Sequence, residues 1–254
     1  MSETALEVHG FSLAIEGRRI LRELTFTVLR GERVALIGPN GAGKTSLLKC
    51  LNRILRGGTG RIEVAGRPLE RYEQGELARR LAYVPQGDAL PAGFTVREFV
   101  EMARYPHVGP LAPFRPEDGR AVGRALEAAG AADLAGRPMD ALSGGERQKA
   151  HLAAALAQEA EILLLDEPTA FLDPAHQGEI LRTLARVEGT ILFVTHDVNE
   201  ALASADRAIA LREGAVVFDG PSAGLADPGA LRAVYAHDFA IGTHPRTGRA
   251  VVFP

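Results

Sequence analysis

Residues 38–45 read GPNGAGKT, which fits the pattern G-x-x-x-x-G-K-[ST] and constrains the fold of this chain more than any other segment. Its glycines let consecutive backbone N–H groups turn inward around an anion without Cβ clashes. In this pattern Lys44 would supply a positive charge for the outer phosphates of a nucleotide, and Thr45 a hydroxyl for magnesium. The apolar residues 33–38 predict a buried strand, and residues 46–51 predict a helix whose N-terminus points at the phosphates. We therefore expect a strand–loop–helix unit that binds ATP or GTP.

A second glycine-rich segment, LSGGERQ at residues 142–148, precedes an alanine-rich run with helical propensity. Ser143 stands where the cap of that helix would stand, and Gly144 and Gly145 permit close backbone approach to a ligand. The segment predicts a second anion site at a helix N-terminus, and an ordinary Ser-Gly helix start is the alternative.

Polar residues follow three predicted strands. Residues 162–165 form a continuous apolar run, typical of a strand buried on both faces of a parallel sheet, and Asp166 and Glu167 come next. His196 and Gln86 follow two further apolar runs. Because open α/β sheets bind ligands at the carboxyl ends of their strands, Asp166 is predicted to hold magnesium and Glu167 to polarise an attacking water. Ordinary polar strand exits are the alternative, which is strongest for Gln86.

With these motifs in this order, the chain resembles the ATP-binding-cassette (ABC) ATPases over nearly its whole length. The signature segment separates that family from other phosphate-loop proteins. The matching elements are the Walker A loop 38–45, the Q-loop Gln86, the signature 142–148, the Walker B Asp166 with its neighbour Glu167, the D-loop 169–173 and the switch His196.

The resemblance implies that two copies pair head to tail, with each ATP held between Walker A of one copy and the signature of the other. It also implies that Glu167 acts on the water, that His196 contacts the γ-phosphate, and that Asp173 communicates across the dimer. The expected catalytic residues are Lys44, Gln86, Glu167 and His196, and the expected ligands of Mg²⁺ are Thr45, Gln86 and Asp166. The residues expected to contact ATP are Gly38, Pro39, Asn40, Gly41, Ala42, Gly43, Lys44, Thr45, Ser46, Ser143, Gly144, Gly145, Gln148 and Asp173.

The implied fold is α/β, with a phosphate-loop (RecA-like) core and mainly parallel sheet, N-terminal antiparallel strands and an inserted α-helical subdomain. We expect residues 1–254 to form a single ABC ATPase domain, with 1–86 and 142–254 as the nucleotide-binding core and 87–141 as the helical subdomain. Hydrophobic periodicity and turn residues place the individual elements. The predicted elements are strands at 6–15, 24–29, 190–194, 208–211 and 215–218, helices at 97–105, 117–129 and 174–188, and a tail after 227 with a short helix and an extended end.

Composition gives no indication of nucleic-acid binding. The formal net charge is −3, and Arg18-Arg19 and Arg79-Arg80 are isolated pairs, so a solvated face explains them better than a basic tract. The only cysteine, Cys50, excludes an internal disulfide. Neither a secretory signal nor an apolar run long enough to cross a bilayer is evident, and no metal site beyond nucleotide-bound magnesium is indicated. We expect the protein at the cytoplasmic face of the inner membrane, with the membrane-spanning part of any transporter in another chain.

The insertion at 95–122 and the tail at 243–254 resemble those of ATPase subunits from type II importers for iron–siderophore complexes, haem and cobalamin. This resemblance implies polytopic permease subunits as direct partners and an extracytoplasmic substrate-binding protein as an indirect one. An exporter cassette and a soluble cassette of the iron–sulfur-assembly type are the competing functions.

The permease contact is expected around residues 87–105 and, beyond them, at Pro106 and His107. Packing within the insertion is the alternative for Tyr105, Pro106 and Phe114.

Two positions depart from the family pattern. Ile15 occupies the place near the end of the first strand where an aromatic residue commonly stacks on adenine, and Phe11 is the alternative if the register is shifted. Base–aromatic stacking contributes roughly 1–3 kcal/mol in nucleic-acid complexes, so weaker nucleotide binding or weaker selectivity for the base is expected. Ala154 stands where an arginine is common, and we have no physical account of its effect.

Overall fold

The computed structural model describes residues 3–87, 93–108 and 112–254. The expected permease contact at 87–105 therefore lies partly outside the described residues. The chain divides into two compact units, Met1–Tyr72 with Gly189–Pro254 and Glu73–Glu188. The division into a nucleotide-binding core and a helical subdomain at 87–141 stays a prediction.

The strands, in chain order, are β1 Thr4–Ile15, β2 Arg18–Leu29, β3 Arg33–Ile37, β4 Thr59–Val64, β5 Arg67–Pro68, β6 Leu81–Val84, β7 Ile162–Asp166, β8 Thr190–Val194, β9 Arg207–Arg212, β10 Ala215–Pro221, β11 Ala240–Thr243 and β12 Ala250–Phe253. The α-helices are α1 Lys44–Leu51, α2 Gln74–Ala78, α3 Val96–Met102, α4 Tyr105–Val108, α5 Pro116–Ala128, α6 Gly144–Ala157, α7 Pro174–Arg186, α8 Val198–Ser204 and α9 Pro228–Tyr235.

The first unit contains an antiparallel sheet with strand order β2–β1–β4–β5. β1 and β2 form a hairpin that closes where Ile15 pairs with Arg18. Glu16 and Gly17 in the turn have φ of 51° and 78°, the left-handed geometry that matches the twist of a two-residue hairpin. Both strands are found where the sequence predicts them, but β2 begins at Arg18 rather than at residue 24. The prediction missed its first half because charged residues there obscure the apolar pattern of a strand.

The same unit contains the parallel strands that carry the phosphate loop. β3 lies between β8 and β9 and runs parallel to both, and β10 pairs antiparallel with β9. β8 is buried along its whole length, as the predicted apolar run requires. The Thr195 N–H donates to the Leu36 carbonyl at 3.2 Å, so the carboxyl ends of β3 and β8 are neighbours. This edge of the sheet places the phosphate loop beside the turn that contains His196.

In the second unit, β6 and β7 pair in parallel, with Leu81 opposite Ile162. α6 packs against both α3 and α5. Val122, Leu126 and Ala129 are buried, so the helix predicted at 117–129 packs one apolar side into the core.

The single helix predicted at 97–105 is wrong, because α3 ends at Met102 and α4 begins at Tyr105. Between them, the buried guanidinium of Arg104 contacts Asp118 at 3.0 Å, Glu159 at 2.7 Å and the Ala157 carbonyl at 2.8 Å. A buried guanidinium needs such partners, and turning Arg104 toward them ends the helix.

The tail contains α9 and a hairpin of β11 and β12, where the sequence predicts a short helix and an extended end. Within the residues the structure describes, no helix is both long and apolar enough to cross a membrane.

Candidate nucleotide-binding and catalytic site

The phosphate loop depends on glycines at Gly38, Gly41 and Gly43, with φ of 139°, 79° and 100°. A Cβ at Gly38 would lie 2.0 Å from the Leu211 carbonyl oxygen of β9, and one at Gly43 would lie 2.6 Å from Cδ2 of Leu21. A Cβ at Gly41 meets no atom within 4 Å, so only the backbone conformation favours glycine there. The two ends of the loop are therefore closely packed against neighbouring atoms, and its middle has free space around Gly41.

Lys44 begins α1 and is 5% exposed. Its Nζ donates to the carbonyl oxygens of Gly38 at 2.7 Å and Pro39 at 3.0 Å, which places the ammonium group at the loop. Gly43 caps α1 and has no side chain to compete for the N–H groups of the first turn. These N–H groups make the N-terminus of a helix favourable for anions. The remaining residues predicted to contact ATP in this unit lie in the same loop and first turn: Asn40, Ala42, Thr45 and Ser46.

His196 is exposed in the turn between β8 and α8. The buried Thr195 before it donates from Oγ1 to Glu200 at 2.9 Å. Asp197 after it caps α8 and accepts from the Asn199 N–H at 2.8 Å. The turn is thus fixed on both sides of the predicted switch histidine.

In the second unit, the structure brings together three of the predicted residues. Asp166 is buried at the end of β7, and the Tyr83 hydroxyl donates to its Oδ2 at 3.2 Å. Glu167 follows with φ of 50°, and backbone strain of this kind concentrates at functional sites. Gln86 donates from Nε2 to Glu167 Oε2 at 2.8 Å. The glutamine predicted from the Q-loop therefore orients the glutamate predicted to act on water.

Tyr83 is a neighbour of the site that sequence reasoning misses. Burial, and then the Asp166 carboxylate, raise the pKa of its hydroxyl well above the usual range, so at neutral pH it remains a donor. The available signal is its polar tip in an otherwise apolar strand, since a buried tyrosine hydroxyl usually finds a partner.

The signature segment begins α6 with a complete capping box. Ser143 Oγ accepts from the Glu146 N–H at 3.4 Å, and the Glu146 carboxylate accepts from the Ser143 N–H at 2.8 Å. A Cβ at Gly145 would lie 2.6 Å from the His176 ring, whereas one at Gly144 meets no atom within 4 Å. Gln148 lies farther along α6 and is half-buried. Glycine is therefore sterically required at Gly145 unless His176 moves, and Gly144 faces open space.

The D-loop ends at Asp173, which caps α7. Its Oδ1 accepts from the N–H groups of Ala175 and His176, both at 3.0 Å, and its Oδ2 lies 2.6 Å from His176 Nδ1. These contacts, first the His176 N–H and then its ring, lower the pKa of the Asp173 carboxyl. Sequence reasoning misses His176, which joins Asp173 to the start of the signature helix at Gly145. At the tip of the D-loop, Phe171 is 95% exposed.

The two candidates for contact with adenine differ in exposure. Ile15 is exposed at the end of β1, whereas Phe11 is only 6% exposed. Phe11 is therefore packed in the core of its unit, whereas Ile15 is accessible to a ligand.

Comparison with known proteins identifies the family. A family model described as ABC transporter matches residues 21–170. The iron(3+)-hydroxamate import ATP-binding protein FhuC of Bacillus subtilis is 39% identical over 251 residues, or 97% of this chain and 93% of that protein. The hemin import ATP-binding protein HmuV of Streptomyces coelicolor is 42% identical over 248 residues, or 96% and 88%.

Among solved structures, a chain from an inward-facing ABC transporter of the metal-chelate type superposes with a TM-score of 0.84 at 27% identity, covering 98% of this chain and 96% of that one. The resemblance predicted from the motifs is confirmed. This chain belongs to the ABC transporter family, as one of its ATP-binding, ATP-hydrolysing subunits.

Proposed function

We propose that this ATPase energises an ABC importer for a metal chelate of the iron–siderophore, haem or cobalamin class. The observation that carries the proposal is the likeness, over nearly the whole chain, to relatives named for iron-hydroxamate and hemin import. The likeness to a metal-chelate type transporter over 98% of this chain supports the same cargo class.

The described residues fit a magnesium nucleotide. The Gly38 and Gly43 positions leave no room for a Cβ at the two ends of the loop, and Lys44 brings a positive charge to it. Thr45 in the first unit, and Asp166 and Gln86 in the second, carry oxygen donors of the kind that Mg²⁺ prefers, and each is proposed as a ligand of the ion. When bound, the ion would neutralise charge that develops on the phosphates.

Glu167 would act as the general base. Its carboxylate is oriented by the Gln86 amide, and it follows the buried Asp166 at the end of β7. A carboxylate fixed in this way can accept a proton from the attacking water. His196 would contact the γ-phosphate from its turn beside the phosphate loop.

A second copy of the chain would complete the site. Gly144 faces open space at the N-terminus of α6, the end of a helix that favours a phosphate group. Phe171 is 95% exposed and has φ of 61°, an unusual conformation for an aromatic residue. An exposed aromatic side chain held in a strained backbone is a good anchor for a protein partner. These two features support the head-to-tail homodimer.

The permease would contact the helical part of the second unit. Tyr105 is 60% exposed, and Phe114 and Met102 are also exposed. In contrast, Phe99 packs edge-to-face on His151 at 5.2 Å between ring centroids. The exposed side chains are those available to a membrane partner. A subunit bound to such a partner would be peripheral, and we place it at the cytoplasmic face of the inner membrane.

Pro106 and His107 have structural contacts instead. The Pro106 carbonyl accepts from Arg79 Nε at 2.7 Å, and His107 Nε2 lies 2.8 Å from the Gln158 carbonyl oxygen. We infer that these two residues hold the segment and that Tyr105 makes the contact.

The test is affinity purification of the Glu167→Gln protein from native membranes with ATP and magnesium, followed by mass spectrometry. Recovery of a polytopic permease together with a substrate-binding protein supports import. A permease of an exporter, or soluble partners alone, would contradict it. Tyr105→Ala should reduce recovery of the permease, whereas Arg120→Ala, on the exposed surface of α5, should not.

A further inference from the structure

The signature helix α6 ends at a residue whose side chain bonds to another element of the site. Gln158 follows the last residue of α6, and its Nε2 donates to the carbonyl oxygens of Leu81, at 2.9 Å, and of Ala78. Leu81 begins β6, and Gln86 lies two residues beyond the end of that strand. One side chain therefore joins the helix that begins at the signature to the strand that leads to Gln86.

The Gln158 side chain is not needed to end α6, because the backbone ends it. The Gln158 N–H donates to the Ala154 carbonyl at 3.1 Å, and the Glu159 N–H donates to the Leu156 carbonyl at 3.0 Å. Glu159 has φ of 49°, the left-handed conformation that commonly follows a helix. Both N–H groups of the side-chain amide are thus free to bond to β6.

β6 receives this bond as an edge strand. It pairs in parallel with β7, and no strand in the described part of the chain pairs with its other edge. An edge strand presents backbone groups that lack partners in the sheet. α6 also packs against β6, but apolar packing is non-directional, whereas the hydrogen bonds from Gln158 are directional. Gln158 therefore fixes where the end of α6 lies relative to β6.

The last turn of α6 is itself held in place. The Ala157 carbonyl accepts from Arg104 at 2.8 Å, and the Gln158 carbonyl lies 2.8 Å from His107 Nε2. The final carbonyls of a helix have no partner within the helix, and bonding them to other groups opposes fraying. A shift of α6 would therefore reach Gln158 instead of being absorbed by the last turn.

We propose that Gln158 is a positioning residue that couples the two ATP sites of the homodimer. In the proposed function, α6 presents the signature to the nucleotide of the partner copy, whereas Gln86 orients Glu167 at the nucleotide of its own copy. Contact of the signature with the partner's nucleotide would shift α6, and Gln158 would pass that shift to β6 and so to Gln86. This inference rests on the proposed homodimer and adds a residue from outside the six family motifs.

The test is ATP turnover by the purified full-length chain carrying Gln158→Met, measured by phosphate release over a range of ATP concentrations. Methionine is unbranched and of similar length, but it has no N–H group to donate to β6. We expect kcat to fall about 3- to 10-fold, as for loss of one or two hydrogen bonds. The Hill coefficient should fall from about 1.5 or more in the wild type to about 1, with Kd of the monomer for ATP within about twofold.

Two further variants separate positioning from loss of stability. Val122→Ala removes buried methyl groups from α5, which packs against α6, and it leaves the bonds to β6 intact. It should lower the melting temperature at least as much as Gln158→Met does, with an unchanged Hill coefficient. Gln158→Glu keeps the shape of the side chain and removes its donors, so it should repeat the result and serves as the test if the methionine variant does not fold.

The inference is overturned if the folded Gln158 variants keep the wild-type Hill coefficient, whether or not kcat falls. It is also overturned if Val122→Ala lowers the Hill coefficient equally. A wild-type protein that hydrolyses ATP with a Hill coefficient of 1 and stays monomeric with ATP would instead overturn the proposed homodimer, and this inference with it.

Discussion

The two helix starts assigned to ATP, one in each unit, are built differently. α1 follows the phosphate loop and is capped by Gly43, which has no side chain and leaves the first-turn N–H groups to a ligand. α6 follows the signature and is capped by Ser143, whose hydroxyl and N–H are both bonded to Glu146. The N-terminus of α1 is organised to receive an anion, whereas the N-terminus of α6 is capped by hydrogen bonds within its own chain.

The contrast between the two starts suggests how one ATP could hold two copies together. A helix N-terminus whose N–H groups are already capped gains less binding free energy from an anion. The signature would therefore bind phosphate weakly unless another surface already holds the nucleotide. The phosphate loop provides that surface in the partner copy. Nucleotide would then bind to the loop first, and the dimer would form second.

The largest expected effect comes from removing the positive charge at the N-terminus of α1. Lys44→Ala should weaken ATP binding and lower kcat/KM by about 100-fold or more, because a preorganised positive charge at the phosphates is lost. Lys49→Ala, in the last turn of the same helix, is the matched control and should stay within about twofold of wild type. Phosphate release and titration with a fluorescent nucleotide measure the two quantities. Normal turnover by Lys44→Ala would refute the site.

The next effect separates the glycines of the two starts. Gly38→Ala should destabilise the protein by about 2–4 kcal/mol, because its Cβ would meet the Leu211 carbonyl at 2.0 Å and φ is 139°. Gly144→Ala should change the free energy of unfolding by less than about 1 kcal/mol, since open space surrounds it. Urea denaturation followed by circular dichroism measures both, and equal losses would show that the two starts are not built differently.

A smaller effect tests the capped N-terminus of α6. Ser143→Ala should cost about 1 kcal/mol of stability through loss of the cap. Because the serine hydroxyl is bonded within its own chain, ATP binding by the isolated monomer should be unchanged. Scanning calorimetry measures the loss of stability, and titration calorimetry measures the affinity of the monomer for ATP. Weaker ATP binding by the monomer would mean that Ser143 belongs to a site within one copy.

The smallest effect concerns the charge of Glu146. Hydrogen bonds from Ser143, first its N–H and then its hydroxyl, lower the pKa of this carboxyl below its ordinary value of 4.5. The stabilisation is therefore complete above pH 4.5 and is lost as the pH falls through the lowered pKa. Glu146→Gln should lower the melting temperature slightly at neutral pH, and the difference from wild type should vanish on acidification. A difference that grows in acid would rule out this role for the carboxylate.

Much of the site follows from local sequence, and some of it does not. The phosphate loop and the exits of β7 and β8 are predictable because glycine spacing and apolar runs act over a few residues. The break between α3 and α4 is not, because the partners of Arg104 lie on α5 and at the end of α6. Tyr83 is missed for the same reason, since its partner Asp166 is distant in sequence.

Conformation at single residues also escapes sequence reasoning. Glu167 and Phe171 have positive φ values of 50° and 61°, although neither residue type favours them. The surrounding structure imposes these values. Both residues lie in segments assigned to function, where strain of this kind is expected.

The sharing of each ATP between two copies is tested most directly by the mass of the Glu167→Gln protein in solution, measured by light scattering with magnesium and ATP. We expect a monomer without nucleotide and a dimer with it. Adding Gly144→Asp should abolish the dimer while ATP still binds to each monomer, since a carboxylate would repel the phosphate at the signature. A dimer that persists with Gly144→Asp, or a protein that stays monomeric with ATP, would mean that two copies do not share each nucleotide.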